Sequence, residues 1–362
     1  MLERSRERVA RALTHRDPDR VPFDAIGVHA EVASVLCAEL GLSAADTGYF
    51  TEGELRYLEF RIPEDRKRFA AYLPDLPPGS EVDEFGVGRL PLFTAEGYGA
   101  GHTYFHPLAR VDTPKDLERY PFPDVTRTEY HSHIDAEVQE ARRRGFTVVG
   151  QMSQTILEMS YCMRGMEQLF CDFTERPGYV RALFETMAEL RAFQAARFAK
   201  AGVDVLRIGD DIATQVGLII GPAMYREWIK PYHARVIAAA RAVNPEIQVL
   251  YHSDGKLTAL LSDLIQAGVT AVNPCQPEAM DPMEIKRLFG DRLTLWGCTP
   301  TQSIYSGGGA PEVEENLRVL SGEVGRGGGL ILQFYNMLVT PRVRENLGHF
   351  FAAFTRYAMA GR

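Results

Sequence analysis

From residue 146 onward, short apolar segments alternate with longer amphipathic ones. The apolar segments are FTVVGQM (146–152), VDVLRIGDDI (203–212), IQVLYHSDG (247–255), VTAVNPCQP (269–277), LTLWGCTP (293–300) and GLILQFYN (329–336). Helical patterns lie between them, near 222–243, 256–267, 281–289 and 311–321. Because the apolar segments are continuous rather than alternating, each predicts a strand that is buried on both faces. Such strands belong to a parallel sheet with right-handed helical crossovers.

The number of these units favours a closed barrel over an open sheet. VPFDAIG (21–27) predicts a first strand, six or seven units are visible, and an eighth is expected in the less periodic first half. No GxGxxG turn, which marks an open dinucleotide-binding sheet, follows any strand. A length of 362 residues suits one large barrel with additions. We therefore predict an α/β fold, a (β/α)8 TIM barrel that occupies 1–362 as a single domain.

Two additions to the barrel are predicted. Residues 1–20 form an N-terminal helical extension that ends near Pro18, since proline stops a helix. Residues 81–125 are rich in turns, aromatic residues and proline, and we interpret them as an insertion outside the barrel wall, with a hairpin or lid. Residues 29–80 read as helical stretches broken by glycine and proline.

Composition limits the partners and the compartment. The net charge of −8 argues against nucleic acid as the main partner. No run of 18 apolar residues predicts a membrane span, and the charged N-terminus MLERSRERVARAL lacks the apolar core of a signal peptide. The five cysteines form no CxxC pair and are expected to be free thiols. We expect a cytoplasmic protein that acts on a small molecule.

Polar side chains collect where the predicted strands end. In barrels of this kind the active site lies at the C-terminal ends of the strands. The residues at those ends are Asp24, Gln151, Asp210, Asp211, His252, Asp254, Asn273, Cys275, Gln276, Trp296, Cys298, Gln333, Tyr335 and Asn336. A random surface would scatter such residues, so their recurrence at one structural position predicts a reaction site.

His252 and Asp254 are the leading pair. Their i, i+2 spacing points both side chains to the same side of a strand end. Asp254 is expected to orient the imidazole or to share a metal ion with it; the alternative is a structural histidine. Of the two neighbouring aspartates, we expect Asp210 to face the pocket and Asp211 to cap the following helix.

Two cysteines raise the question of a metal. His252, Cys275 and Cys298 are spaced 23 residues apart in succession, which suggests equivalent places on three adjacent strands. A zinc site with nitrogen and sulfur ligands would suit that placement, although buried cysteines are more often small apolar core residues. His106, in the insertion, is expected to cover the pocket.

Several segments together resemble a known superfamily. They are RERVARALTHRDPDRVPFD, GDDIATQVGLIIGPAMYREWIKPYH (209–233), HSDGKLTALLSDLIQAGVTAVNPCQPEAMDPMEIKRLFGDRLTLWG (252–297) and TPRVREN (340–346). In this order they resemble the uroporphyrinogen decarboxylase superfamily, and most closely its corrinoid-dependent methyltransferase branch. The resemblance implies a (β/α)8 barrel with its pocket at the strand C-termini.

The resemblance also implies a chemistry. In the methyltransferase branch a histidine, a residue two positions later and a third ligand near the last strand hold zinc, which activates a thiol or oxygen for methyl transfer with a corrinoid protein. His252 and Asp254 match the first two positions. Tyr335 stands near the third, and Cys298 is a substitute ligand. In this interpretation Asp24, Gln151, Asn273, Gln276, Trp296 and Gln333 bind substrate together with Asp210, and Tyr335 donates a proton to a leaving oxygen.

Two other functions remain open from the sequence. A decarboxylase of uroporphyrinogen or another carboxylate would need no metal, and Asp24 or Asp210 would steady a cationic pyrrole. However, VPFDAIGVHA stands near the place of the MRQAGR-type segment of true uroporphyrinogen decarboxylases, and Arg20, Arg164 and Arg207 are scattered rather than clustered. The third function is a non-catalytic binding protein on the same barrel.

Overall fold

Eight short parallel strands form the barrel wall. The computed structural model describes residues 5–25, 53–93, 99–334 and 340–357. The wall strands are β1 (Phe23–Asp24), β2 (Leu55–Leu58), β3 (Thr147–Met152), β4 (Val205–Gly209), β5 (Gln248–His252), β6 (Ala271–Cys275), β7 (Thr294–Cys298) and β8 (Leu330–Gln333). They pair in the order β1-β8-β7-β6-β5-β4-β3-β2. The backbone N–H of Glu54 donates to the carbonyl of Phe23 (3.3 Å) and so links the two ends of the sheet. The predicted (β/α)8 barrel is confirmed.

Helices surround this wall. They are α1 (Ser5–Leu13), α2 (Pro114–Leu117), α3 (Ile134–Arg143), α4 (Leu157–Arg164), α5 (Met166–Glu175), α6 (Pro177–Ala201), α7 (Pro222–Met224), α8 (Lys230–Arg241), α9 (Leu261–Ala267), α10 (Pro282–Phe289), α11 (Ile304–Gly307), α12 (Ala310–Val319) and α13 (Pro341–Tyr357). Short 3-10 or π-helical turns cover Thr128–Tyr130, Tyr225–Ile229, Thr258–Leu260 and Leu320–Val324. Their ends follow local rules. For example, α10 begins at Pro282 after Asp281, whose side chain accepts from the Met283 N–H.

The N-terminal helix α1 closes one end of the barrel. Its residues Val9, Ala12 and Leu13 are buried against the apolar side chains of the barrel interior. On the opposite side of the wall, a much larger apolar core packs between the strands and the surrounding helices. The interior is therefore filled from below, and only its C-terminal end is left for polar groups.

The eighth strand lies in the first half of the chain, as expected, but within a range that was predicted to be helical. Of the range 29–80, residues 53–80 are described, and they hold β2 and turns rather than helices. β2 pairs in parallel with β3, from Leu55 opposite Thr147 to Leu58 opposite Gly150. Its short LRYL sequence carries one polar residue between apolar ones, which gives no helical period to read and no continuous apolar run.

The turn-rich segment 81–125 contains its own small sheet. Strands Glu81–Val82, Gly88–Phe93 and Gly99–Phe105 pair antiparallel in a sheet that is separate from the barrel wall. The chain then returns to the barrel through His106, whose Nδ1 is 2.7 Å from the carbonyl oxygen of Cys162 in α4. This contact brings the small sheet to the C-terminal end of β3, beside the strand ends that matter for function.

Candidate functional site

A polar layer lies directly above the apolar floor of the barrel. The floor consists of Leu55, Val149, Val205, Leu250, Ala271, Trp296 and Ile331, one from each of seven strands. Because side chains alternate along a strand, the residue two positions farther on also points inward. On six of the seven strands those residues, with the last residue of β1, are Asp24, Tyr57, Gln151, Arg207, His252, Asn273 and Gln333. All but Tyr57 and Arg207 were predicted as site residues, and the structure brings them into one ring. On β7 the corresponding residue is Cys298, which lies in the outer core instead.

Hydrogen bonds connect half of this ring into a chain. One carboxylate oxygen of Asp24, Oδ2, accepts from Tyr57 Oη (2.5 Å), Trp296 Nε1 (2.9 Å) and Gln333 Nε2 (2.8 Å). Gln333 Oε1 accepts from Asn273 Nδ2, and Asn273 Oδ1 lies 2.8 Å from His252 Nδ1. We call His252, Asn273, Gln333 and Asp24 the relay. Its three hydrogen bonds join an imidazole on β5 to a buried carboxylate on β1.

The relay has a direction, and the direction sets the state of His252. The amide nitrogen of Gln333 must face Asp24, because a carboxylate only accepts. Its oxygen therefore faces Asn273, and the oxygen of Asn273 in turn faces His252. The Nδ1 atom of His252 must then carry the proton, which leaves the Nε2 lone pair available. The predicted role of Asp254 in orienting the ring is wrong: Asn273 holds it.

Burial and a neighbouring charge keep this imidazole neutral. Burial lowers the pKa of His252 to about 3, the Arg207 charge adds to that shift, and the Asn273 hydrogen bond opposes it. Arg207 stands on the adjacent strand, where Leu250 of β5 pairs with Arg207 of β4. The site therefore presents a neutral hydrogen-bond acceptor beside a guanidinium cation.

Glycines allow the strands to meet closely at this point. Gly209 pairs with His252, and a Cβ atom there would lie 2.1 Å from the His252 carbonyl oxygen. Gly255 turns the chain after Asp254 with a φ of +89°, a conformation that glycine tolerates best. Gln276, another predicted site residue, is buried and accepts from the Gly255 N–H (2.7 Å), so it holds this turn.

The two neighbouring aspartates have the opposite roles to those predicted. Asp210 is fully buried, accepts from the backbone N–H groups of Ile156 (2.9 Å) and Glu158 (3.0 Å), and lies 2.7 Å from His233 Nε2. It therefore caps helix α4 and does not face the pocket. Asp211 is half-buried at the pocket wall. The carboxylate at the strand end is thus needed for the fold, and the next one is available for chemistry.

A cavity of about 450 Å³ lies beside Asp211. It is lined by Tyr104, His106, Glu158, Tyr161, Cys162, Met166 and Asp211. His106 is one of the lining residues, which agrees with the expectation that it covers the pocket. Glu158, the first-turn residue of α4, was not singled out from the sequence, because it does not lie at a strand end. The cavity therefore joins the small antiparallel sheet to the barrel mouth.

Glu158 and Asp211 form an acidic pair in this cavity. Burial, and then the charges of Asp211 and Asp210, raise the pKa of Glu158 to about 8. Burial also raises the pKa of Asp211. Glu158 Oε2 accepts from the Asp211 N–H (3.0 Å), and Asp211 Oδ1 accepts from the Asp254 N–H (2.8 Å). The pair therefore stores a proton near neutral pH, next to the turn that carries Asp254.

The predicted zinc ligands do not fit a metal ion. Cys298 is fully buried in the outer core, where burial and the adjacent Cys275 raise its pKa well above the usual range. His252 of β5 pairs with Asn273 of β6, so Asn273, and not Cys275, stands level with His252. Among the described residues, no three histidine, cysteine, aspartate or glutamate side chains gather as a metal site would require. Tyr335 and Asn336 lie outside the described residues.

The chain belongs to a family defined by this architecture. A (β/α)8 barrel with a polar layer at the strand C-termini is the arrangement of a large class of enzymes. The chain matches the uroporphyrinogen decarboxylase (URO-D) family over residues 97–357, more than half of its length, and is a member of that family. The resemblance stated from the sequence is confirmed, and the proteins of this superfamily are enzymes.

Two proteins with given functions are similar to this chain. Uroporphyrinogen decarboxylase of Dictyostelium discoideum is 24% identical over 216 residues, which are 58% of this chain and 57% of that protein. The chain thus aligns with a little over half of that relative. A methyltransferase from Methanosarcina mazei is 16% identical and superimposes with a TM-score of 0.64 over 98% of this chain and 99% of that one. At this identity the second similarity shows the shared fold. No helix in the described ranges is long and apolar enough to cross a bilayer.

Proposed function

We propose that this protein transfers a methyl group between a small methylated molecule and a corrinoid carried by a separate protein. The observation that supports this proposal best is the composition of the mouth of the barrel. It holds a neutral imidazole with a free acceptor atom, a protonated carboxylic acid and one arginine. That set suits acid–base work on a small substrate, and the 450 Å³ cavity suits a molecule of modest size.

Each group has a role in this reaction. When a methyl group leaves an oxygen or nitrogen atom, that atom gains electron density and needs a proton. Glu158, with a pKa of about 8, is protonated at neutral pH and donates it. His252 accepts a hydrogen bond at Nε2 and positions the substrate. A reduced corrinoid supplies the nucleophile, and it is a second substrate rather than a resident group of this chain.

No step is assigned to zinc. The described ligand candidates do not converge, and the Cys298 thiol is packed in the outer core away from the ring of polar residues. The acid–base groups described above provide leaving-group protonation without a Lewis acid. Glu158 is the acid in this reaction, while His252 positions the substrate.

Decarboxylation of a tetrapyrrole is the second candidate, because the family match and the amoebal relative carry that name. Two observations weigh against it. In the described part of the chain the inner polar layer contains a single arginine, Arg207, whereas several substrate carboxylates need several cations. In addition, Asp24 and Asp210, the predicted partners of a cationic pyrrole, direct their carboxylate oxygens to groups of the protein itself.

A paired assay tests the proposal. The purified protein is incubated anaerobically with reduced free cobalamin and a panel of O-methyl and N-methyl compounds, and methylcobalamin is followed by its absorbance. The same preparation is incubated with uroporphyrinogen, and products are separated by chromatography. Protein-dependent methylcobalamin formation is expected. Decarboxylation at an ordinary enzymatic rate of about 1–1000 per second, without methyl transfer, would reverse the order of the two functions.

A further inference from the structure

Arg207 carries a positive charge into the polar layer, where it opposes the raised pKa of nearby Asp211 without forming an ion pair with that residue. It lies on β4, two residues above the apolar floor residue Val205, and is half-buried. Its Nη1 donates to Gln151 Oε1 (2.8 Å), and its Nε atom is buried with no hydrogen-bond acceptor. Within the described part of the chain it forms no ion pair. A buried, unpaired guanidinium N–H is unfavourable unless something else accepts from it.

The other two arginines considered from the sequence are different. Arg164 is buried, but its guanidinium pairs with Asp172 (2.7 Å) and Asp112 (2.9 Å). Arg20 pairs with Glu54 (2.7 Å). Both charges are therefore neutralised within the fold, and we assign these two arginines to stability rather than to ligand binding. Only Arg207 of the three reaches the interior of the barrel with donors left for an external group.

A second unused hydrogen-bonding atom, Nε2 of His252, lies on the neighbouring strand. The relay gives His252 a proton at Nδ1 and leaves Nε2 as an acceptor, and the described residues offer no hydrogen-bond donor to Nε2. Arg207 stands close enough to lower the pKa of His252. Adjacent strands are about 4.8 Å apart, so one small molecule can reach both groups. The site thus offers a cation and a neutral acceptor side by side.

We propose that the substrate of this site is a small carboxylic acid with an N–H or O–H group next to its carboxylate. The carboxylate binds Arg207, and the neighbouring donor binds Nε2 of His252. This assignment rests on the proposed function for the identity of the site, and it names the chemical class of the molecule that carries or receives the methyl group.

The chemistry of the two groups supports this class over others. A planar guanidinium binds a carboxylate through two parallel hydrogen bonds, which would also satisfy the buried Nε–H. The ring of Tyr57 lies 6.0 Å from the Arg207 guanidinium, and its Oη donates to Asp24. The Oδ2 atom of Asp24 also accepts from the neutral donors Trp296 and Gln333.

Calorimetric binding to two matched sets of probes tests the proposal. The first set is N-methylglycine, N-methylglycinamide, which lacks the carboxylate, and trimethylglycine, which lacks the N–H. The second is mandelate, mandelamide and 2-methoxy-2-phenylacetate, which lacks the O–H. In at least one set, the acid with its adjacent donor is expected to bind about tenfold or more tightly than either analogue.

Variants of Arg207 assign the preference for the carboxylate to this residue. Arg207→Gln should remove the preference for the carboxylate, and Arg207→Lys should keep part of it. Arg6→Gln is the matched control, because it removes one positive charge at the opposite end of the barrel, where Arg6 pairs with Asp204 (2.8 Å). Melting curves of all variants show whether each is folded.

The proposal is overturned if neither acid binds better than its amide, or if Arg207→Gln keeps the preference of the wild type. Because binding is measured without cobalamin, the outcome is separate from the assay of methyl transfer. Carboxylate binding without methyl transfer would support this inference and reject the proposed function. Methyl transfer from neutral donors that Arg207→Gln leaves unchanged would do the reverse.

Discussion

The two ends of the barrel contain similar charged residues, which differ in whether they pair with other groups of the protein. At the N-terminal end, a cavity of about 560 Å³ is lined by Arg6, Arg142 and Asp204 among others, and both of these arginines pair with Asp204. At the C-terminal end, Arg207 and His252 keep unused hydrogen-bonding atoms. The larger cavity is therefore not the better candidate site. Charged groups that pair with one another stabilise the fold, while groups with unused hydrogen-bonding atoms are available to a ligand.

The strongest test of this comparison is at the paired end. Glu54 is buried and binds Arg8, Arg20 (2.7 Å) and the Phe23 N–H (3.0 Å). Glu54→Gln should lower the free energy of unfolding by about 3 kcal/mol, because Arg20 and the buried Arg8 both lose an ionic partner, although Arg8 keeps Asp19. Urea denaturation measures this. The exposed pair gives the control: Arg6→Gln should change stability by about 0–1 kcal/mol. Equal losses in the two variants would contradict the comparison.

The open end should respond in activity rather than in stability. His252→Ala should reduce methyl transfer about 100- to 10,000-fold and lower stability by only about 1 kcal/mol, since the residue lies above the packed floor. His102→Ala, which removes an exposed imidazole from the small sheet, should leave both unchanged. A large fall in melting temperature with His252→Ala would instead mark a structural histidine.

Glu158 gives the site its pH dependence. Because its pKa is about 8, proton donation should fade as the pH rises above that value, by about tenfold per pH unit at most. The raised pKa also makes the free energy of unfolding fall as the pH rises from 4.5 to about 8. Over that range Glu158 ionises in the unfolded chain but stays protonated in the folded protein. Rate profiles of Glu158→Gln should lack the alkaline limb, and those of the exposed-site control Glu167→Gln should keep it. An unchanged limb in Glu158→Gln would remove Glu158 from the reaction.

The smallest expected effect is a shift in titration. The ¹⁵N spectrum of His252 should show a neutral ring protonated at Nδ1 at pH 5, since its pKa is lowered to about 3. Arg207→Gln should raise that pKa, because the guanidinium charge is one of the causes of the lowering. Stability contributed by the neutral ring is lost as the pH falls from 6.5 toward 3. A ring protonated at Nε2 would show that the relay runs in the other direction.

The sequence predicted the barrel and most of the inner ring because both follow simple periodicities. Continuous apolar strands with polar ends located Asp24, Gln151, His252, Asn273 and Gln333. Spacing alone failed for Cys298, which pairs in register with Gln333 but lies in the outer core. Positive φ angles at Gly297 (+109°) and Cys298 (+61°) interrupt the alternation of side chains along β7. Glu158 was missed because its importance comes from burial beside Asp211, which a linear pattern does not record.

The same limit explains the aspartates. Asp210 and Asp211 are neighbours in the chain, and either fits a helix cap or a pocket on propensity grounds. Their difference depends on which carboxylate meets the backbone of Ile156 and Glu158, two groups more than 50 residues away in the chain. Such a choice is decided by tertiary packing.

The direction of the relay also constrains how relatives of this protein can vary. Each member fixes the donor and acceptor roles of the next, so a change at one position alone would leave two donors or two acceptors facing each other. A histidine at the position of His252 should therefore be inherited together with an amide at Asn273, an amide at Gln333 and an acid at Asp24. Substitutions among the four are expected to co-vary. Which ring nitrogen of the histidine faces the substrate would then depend on all four residues together.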